Sequence, residues 1–121
     1  MTKTVMVVDD AVSVRGLVGM TLLNGGYQVI EACDGKEALN KISGRTVHLI
    51  IADLYMPNMD GMELIRALKG DSRYKHIPIV VLTKESRPEM KRDGQMAGVK
   101  AWVVKPFKPD TILNVVKKII G

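Results

Sequence analysis

Five short apolar segments recur along this chain, and each is followed by a segment whose apolar residues have helical spacing. The short segments are rich in Val and Ile, which is typical of strands buried on both faces of a parallel sheet. They are Thr4–Val8, Gln28–Ala32, Leu49–Ala52, Ile79–Leu82 and Ala101–Val104. Because strand and helix alternate five times, the pattern predicts an α/β protein with a parallel sheet, helices on both faces and right-handed crossovers.

The helical segments carry apolar stripes and are separated by turn residues. The first stripe is Val14, Leu17, Val18 and Leu22, whereas the fourth segment, Pro88 to Ala97, is polar and only weakly striped. Gly25-Gly26 closes the first helix, Asp34-Gly35 opens the second, and Pro109 or Asp110 suits the first turn of the last. We find no linker, and 121 residues suffice for one domain spanning 1–121.

Composition and charge exclude several classes of protein. No apolar run approaches the ~20 residues of a membrane span, and a single cysteine, Cys33, excludes an internal disulfide. We therefore predict a cytoplasmic protein with no membrane partner. The second half is basic, with 13 Lys+Arg against 6 Asp+Glu in residues 61–121. That excess suits nucleic acid, anionic lipid, an acidic protein partner or simply a solvated surface. An aromatic content of only 4% and the lack of an RNA-binding signature argue against nucleic acid.

Four of the predicted strands run directly into polar residues of a restricted kind. The first is followed by Asp9-Asp10, the third by Asp53, the fourth by Thr83 and the fifth by Lys105. Ligand sites of open parallel sheets lie beyond the carboxyl ends of the strands. The sequence therefore predicts one site that contains three carboxylates, a hydroxyl and an ammonium group.

Three neighbouring carboxylates need compensation. Two like charges ~4 Å apart cost on the order of 4 kcal/mol at an effective dielectric near 20, so their pKa values rise or a cation offsets them. Hard oxygen ligands suit Mg²⁺, which also binds phosphate, and this favours phosphoryl chemistry. The simpler alternatives are that Asp9 or Asp10 caps the first helix, that Thr83 merely ends a strand and that Lys105 is a surface lysine.

In this order and at these intervals, the site residues resemble those of the receiver domain of two-component response regulators, over the whole chain. The segments "DLYMPNMDG" (Asp53 to Gly61) and "VVKPF" (Val103 to Phe107) are close to those of the single-domain chemotaxis receivers of the CheY-like type. The resemblance implies a flavodoxin-like (βα)5 three-layer sandwich with strand order 2-1-3-4-5.

The resemblance also implies a role for each site residue. Asp53 would be the phosphoacceptor, a carboxylate nucleophile that forms an acyl phosphate. Asp10, Asp53 and the backbone carbonyl of Tyr55 would bind Mg²⁺ directly, Asp9 would act through a metal-bound water, and Lys105 would pair with the phosphoryl group.

Further positions would carry the signal and tune its duration. Thr83 would move to hydrogen-bond the phosphoryl group, and Trp102, where the family usually has Tyr or Phe, would respond as the switch residue. Tyr55 and Glu85 would modulate dephosphorylation, with the bulky Tyr55 shielding the acyl phosphate. The fourth helix, fifth strand and fifth helix would form the output face, with candidate residues Lys91, Arg92, Lys100, Trp102 and Lys108.

The implied partners are a CheA-like sensor histidine kinase, a downstream target protein such as the flagellar motor switch, and a phosphatase. The chain would catalyse only its own phosphorylation and autodephosphorylation, and would not otherwise be an enzyme. Two alternatives within the family are a phosphorelay intermediate that passes its phosphoryl group to a histidine domain and a receiver-like domain that is never phosphorylated. Outside the family, the alternative is an aspartyl-phosphate phosphohydrolase, although those enzymes have a second Asp where this chain has Tyr55.

Overall fold

The computed structural model describes residues 2–121, in which five strands and five helices alternate. The strands are β1 (Thr4–Val8), β2 (Gln28–Ala32), β3 (Leu49–Ala52), β4 (Ile79–Thr83) and β5 (Ala101–Val104). The helices are α1 (Val12–Asn24), α2 (Gly35–Ile42), α3 (Gly61–Lys69), α4 (Pro88–Met96) and α5 (Pro109–Ile120). All strand pairs are parallel and the order is β2-β1-β3-β4-β5, which confirms the predicted flavodoxin-like fold. The predicted bounds differ by one residue at two ends, since β4 includes Thr83 and α4 ends at Met96.

The sheet separates two apolar clusters, because successive strand residues point to opposite faces. Met6 and Ile50 pack on one face with residues of α2 and α3, such as Leu64. Val7 and Ile51 pack on the other face with residues of α1 and α5. Apolar side chains on both faces explain why the strands are almost continuously apolar in sequence.

The helix ends follow the predicted turn chemistry, but the buried face of α1 does not follow the predicted stripe. Asp34 caps α2, and Asp60 caps α3 in a capping box with Glu63. In α1, Val18 is fully buried whereas Leu17, predicted in the same stripe, is 47% exposed. Because α1 is apolar on nearly every side, periodicity alone did not identify its inward face. Among residues 2–121, no helix is both long and apolar enough to cross a membrane.

Candidate functional site

The carboxyl ends of the central strands open into a cleft of about 390 Å³. Val8 of β1 pairs with Ala52 of β3, so the residues that follow them, Asp9 and Asp53, are neighbours. Their backbone N–H groups continue the sheet, bonding to carbonyl oxygens of the adjacent strands at 3.1 and 3.0 Å. The cleft lining includes the five polar residues predicted at the strand ends and the predicted residue Tyr55: Asp9, Asp10, Asp53, Tyr55, Thr83 and Lys105.

Asp9 is buried and uses both carboxylate oxygens. Its Oδ1 accepts a hydrogen bond from the Ala11 N–H at 2.9 Å, and its Oδ2 accepts one from Lys105 Nζ at 2.7 Å. The residue that precedes α1 is Ala11, and no side chain in the described part of the chain caps that helix. The helix-capping alternative for Asp9 and Asp10 is therefore wrong, and the exposed Asp10 remains available to a ligand.

One carboxylate oxygen of Asp53 is bound by the backbone, and the other faces Lys105 in the cleft. Its Oδ1 accepts from the backbone N–H of Leu54 at 2.7 Å and more weakly from that of Tyr55 at 3.4 Å. Its Oδ2 accepts from Lys105 Nζ at 3.0 Å. The start of α3 crosses this loop so closely that a Cβ at Gly61 would lie 2.1 Å from the Asp53 carbonyl oxygen, so only glycine fits there.

Lys105 is therefore not a surface lysine, because its ammonium bridges two carboxylates and its side chain is only 11% exposed. Burial raises the pKa of Asp9, although Lys105 and the Ala11 N–H oppose that rise. Burial lowers the pKa of Lys105, but the hydrogen bonds and charges of Asp9 and Asp53 outweigh it, so the net shift is upward.

We call Asp9, Asp10, Asp53 and Lys105 the aspartate cluster. Each of its three carboxylates offers an oxygen within 4.8 Å of the others, and Lys105 is the ammonium group that bonds to them. Negative charge is therefore in excess, and the donor set consists of hard oxygens. Such a set fits a small divalent cation.

A second set of polar residues, Tyr55, Glu85 and Arg87, lies beside the cleft, and we call it the Glu85 cluster. The Tyr55 hydroxyl donates to Glu85 Oε1, and the Arg87 guanidinium donates to both carboxylate oxygens at 2.7 and 2.9 Å. Hydrogen bonds from Arg87 and Tyr55 hold the pKa of the Glu85 carboxyl well below its usual range. Arg87 was not predicted from the sequence, although its two-residue spacing from Glu85 is a signal for this ion pair.

The backbone of Glu85 connects Thr83 to Trp102. The Glu85 N–H donates to Thr83 Oγ1 at 3.3 Å, and the Glu85 carbonyl accepts from Trp102 Nε1 at 2.9 Å. The indole lies against α4, where a Cβ at Gly94 would approach Trp102 Cζ3 to 2.8 Å. The glycine thus provides the space that an aromatic residue larger than Tyr or Phe requires.

The predicted output residues divide between a groove and the open surface. Lys91, Lys100 and Trp102 line a groove of about 200 Å³ between α4 and β5, whereas Arg92 and Lys108 are exposed outside it. Arg15 was not predicted either; its Nη1 donates to the Asp9 carbonyl at 2.6 Å, and its Nε pairs with Glu31 at 3.3 Å. Its signal was a lone cation in an otherwise uncharged α1.

Comparisons with known proteins agree with this geometry. The family described as the response regulator receiver domain matches residues 5–117. Chemotaxis protein CheY1 of Helicobacter pylori is 35% identical over 118 residues, covering 96% of this chain and 95% of that protein. The structure of chemotaxis protein CheY4 of Vibrio cholerae superposes with a TM-score of 0.94 at 41% identity, covering 99% of this chain and 100% of that one.

The receiver fold also occurs inside much longer proteins. The CAI-1 autoinducer sensor kinase/phosphatase CqsS of Vibrio cholerae is 34% identical over 113 residues, which is 93% of this chain but only 16% of that protein. The match to the family nevertheless extends from β1 into α5, and CheY proteins align over nearly their whole length. This chain therefore belongs to the response regulator receiver domain family and is a CheY-like receiver of a two-component system.

Proposed function

We propose that this protein is a cytoplasmic signalling switch that accepts a phosphoryl group on Asp53 from a histidine kinase, with Mg²⁺, and then binds a target protein through its α4-β5-α5 face. The observation that carries the proposal is the position of Lys105 Nζ, 2.7 Å from Asp9 Oδ2 and 3.0 Å from Asp53 Oδ2. A cation held there faces the oxygen on which an acyl phosphate would form.

In the transfer, one carboxylate oxygen of Asp53 attacks the phosphorus of a phosphohistidine. A P–O bond forms, the P–N bond breaks, and the histidine nitrogen leaves with its electron pair. Asp53 Oδ1 is bound by the backbone N–H groups of Leu54 and Tyr55, so Oδ2 is the oxygen that faces the cleft and Lys105. Lys105 then pairs with a phosphoryl oxygen, and Thr83 Oγ1 donates to another.

The residues that would hold Mg²⁺ are Asp10 and Asp53 directly, Asp9 through a water, and the Tyr55 carbonyl. When bound, the ion would neutralise charge on the phosphoryl oxygens during transfer. The excess of carboxylate over ammonium in the aspartate cluster supports this assignment.

Binding at the output face is the proposed consequence of phosphorylation. When Thr83 Oγ1 turns toward a phosphoryl oxygen, the Glu85 N–H loses its present acceptor, and the Glu85 carbonyl that binds Trp102 is displaced with it. The basic side chains around Trp102 favour an acidic partner segment, and because the CheY relatives are chemotaxis proteins we propose the flagellar motor switch as that partner. The proposed kinase is CheA-like, a phosphatase would end the signal, and neither nucleic acid nor membrane is a proposed partner.

The test is intact-protein mass spectrometry after incubation with acetyl phosphate, with and without Mg²⁺. We expect one Mg²⁺-dependent phosphoryl group on the wild type and on Asp60→Asn, a control in the same loop, and none on Asp53→Asn. Trp102 fluorescence followed in parallel should change with phosphorylation. Phosphorylation of Asp53→Asn would refute the assignment of the acceptor. Turnover of a small phosphate ester would favour a hydrolase.

A further inference from the structure

The Glu85 carboxylate accepts as many hydrogen bonds as it has lone pairs. Its Oε1 accepts from the Tyr55 hydroxyl and from Arg87 Nη2 at 2.7 Å. Its Oε2 accepts from the backbone N–H of Arg87 at 3.1 Å and from Arg87 Nε at 2.9 Å. The Glu85 side chain is 8% exposed, so this carboxylate is buried under its donors and is not available to a ligand.

Tyr55 is held at both of its ends. Its backbone N–H lies 3.4 Å from Asp53 Oδ1, and the residue is one of those that line the cleft at Asp53. Its hydroxyl reaches Glu85 in the loop between β4 and α4. The ring therefore joins the loops that follow β3 and β4, and these loops flank the cleft on one side.

We propose that Arg87 is a positioning residue for the chemistry at Asp53, because it holds Glu85 and thereby keeps the Tyr55 ring along the cleft, where the ring restricts the approach of water to an acyl phosphate. This inference rests on the proposed phosphorylation of Asp53. It assigns to Arg87 a part in setting how long the phosphoryl group persists.

The restricted step is hydrolysis of the acyl phosphate. The oxygen of a water molecule forms a new bond to phosphorus, the bond from phosphorus to the Asp53 oxygen breaks, and Asp53 leaves as a carboxylate. The products are inorganic phosphate and a proton released to solvent. Because the attacking water must lie opposite the Asp53 oxygen, a ring fixed beside the cleft reduces the number of productive approaches.

The position of the Glu85 carboxylate, and through it that of the Tyr55 hydroxyl, depends on Arg87. Arginine presents a planar fork that matches a carboxylate with two parallel bonds, and lysine lacks this geometry. Without Arg87, the Glu85 carboxylate would be buried with the Tyr55 hydroxyl as its remaining side-chain donor and would turn toward water. Tyr55, a residue that is already 53% exposed, would then lose the bond that anchors its hydroxyl.

The chain contains a matched control for this arginine. Arg73 donates to Asp71 from its backbone N–H at 2.9 Å, from Nε at 3.1 Å and from Nη2 at 2.8 Å, with the same two-residue spacing. Its side chain is 67% exposed, against 60% for Arg87, but within residues 2–121 no tyrosine hydroxyl joins that pair, which lies outside the cleft. Arg73→Ala therefore removes the same fork without altering Tyr55.

The experiment measures the decay of phosphorylated protein by mass spectrometry after acetyl phosphate has been removed. We expect Arg87→Ala and Tyr55→Phe each to speed the decay by about fivefold or more, because a positioned group is released. The double variant should decay no faster than either single variant, because both substitutions disrupt the same chain of hydrogen bonds from Arg87 through Glu85 to Tyr55. Arg87→Lys should fall between the wild type and Arg87→Ala, and Arg73→Ala should match the wild type.

The outcomes separate this inference from the proposed function. Equal decay of the wild type, Arg87→Ala and Tyr55→Phe would overturn the role of Arg87 and leave phosphorylation of Asp53 intact. Effects that multiply in the double variant would also overturn it, because the two residues would then act independently. A wild type that gains no phosphoryl group would overturn both proposals. Tyr55→Phe keeps the ring, so it decides the question if Arg87→Ala fails to fold.

Discussion

The aspartate cluster and the Glu85 cluster differ in how many of their carboxylate oxygens lack hydrogen-bond donors. In the aspartate cluster, one ammonium is shared by Asp9 and Asp53 while Asp10 is exposed to solvent, so carboxylate oxygens outnumber their donors. In the Glu85 cluster, the donors of Tyr55 and Arg87 occupy both oxygens of a single carboxylate. The capacity to bind a cation or a phosphoryl group therefore follows from unmatched oxygens and not from the number of charges.

The largest expected difference between the clusters is in their response to Mg²⁺. Asp10→Asn removes a charged oxygen ligand, so the Mg²⁺ concentration for half-maximal phosphorylation should rise about tenfold or more. Glu85→Gln alters a carboxylate that is already saturated and should leave that concentration unchanged. A Mg²⁺ titration of phosphorylation by acetyl phosphate measures both. A shift in Glu85→Gln as large as that in Asp10→Asn would mean that the distinction between the clusters is wrong.

The next effect concerns stability. Lys105→Met leaves Asp9 and Asp53 buried without their ammonium partner, which should lower the free energy of unfolding by about 3 kcal/mol. Mg²⁺ at a hundredfold excess over its Kd should raise the free energy of unfolding of this variant by about 2.7 kcal/mol, because it binds only the folded protein. Urea unfolding with and without Mg²⁺ measures both values. The control is Lys108→Met, an exposed lysine that should change stability by less than about 0.5 kcal/mol.

The difference between the clusters also explains what the sequence analysis predicted and what it missed. The aspartate cluster was predictable because its members each follow a buried strand, and topology alone brings the ends of parallel strands to one edge. Arg87 and the Tyr55 hydroxyl bond were missed because loops between elements set them, and no periodicity describes a loop. The two-residue spacing of Glu85 and Arg87 recurs in Asp71 and Arg73, so this local pattern predicts an ion pair but not whether the pair has a function. The bond from Tyr55 and the deeper burial of the carboxylate, 8% exposed for Glu85 against 29% for Asp71, distinguish the two pairs.

The two clusters should respond to acid in opposite directions. Hydrogen bonds from Arg87 and Tyr55 lower the pKa of Glu85 from 4.5, so its contribution to stability is present above pH 4.5 and is lost as the pH falls below that value. Burial raises the pKa of Asp9 from 3.8, so the folded protein binds this proton at a higher pH than the unfolded chain does. Without metal, the contribution of Asp9 to the free energy of unfolding should therefore increase as the pH falls through the raised pKa toward 3.8.

Thermal unfolding without metal tests these signs. The stability advantage of the wild type over Glu85→Gln should shrink as the pH falls below 4.5. The stability of the wild type relative to Asp9→Asn should increase over the range between the raised pKa and 3.8. If both stability differences changed in the same direction as the pH fell, the prediction of opposite pKa shifts at Glu85 and Asp9 would be wrong.

The smallest expected effect lies where the Glu85 cluster meets the output face. Gly94→Ala places a Cβ 2.8 Å from Trp102 Cζ3 and 3.2 Å from Cε3, so the indole must move from its present position. Overpacking should cost about 1–2 kcal/mol, and the higher helix propensity of alanine offsets about 1 kcal/mol of it. We expect a small net loss in unfolding free energy and a shifted Trp102 emission, with the rate of phosphorylation unchanged because the aspartate cluster is untouched.

The control for this change is Gly94→Ala in a Trp102→Phe background. A phenyl ring is shorter than the indole, so the added Cβ should no longer clash, and alanine should then be neutral or stabilising by its helix propensity. If Gly94→Ala cost the same free energy in both backgrounds, the indole would not be the group that requires glycine at this position. If it slowed phosphorylation, the path from Thr83 through Glu85 to Trp102 would also act backward on the aspartate cluster, and the expectation that residue 94 leaves phosphorylation unchanged would be wrong.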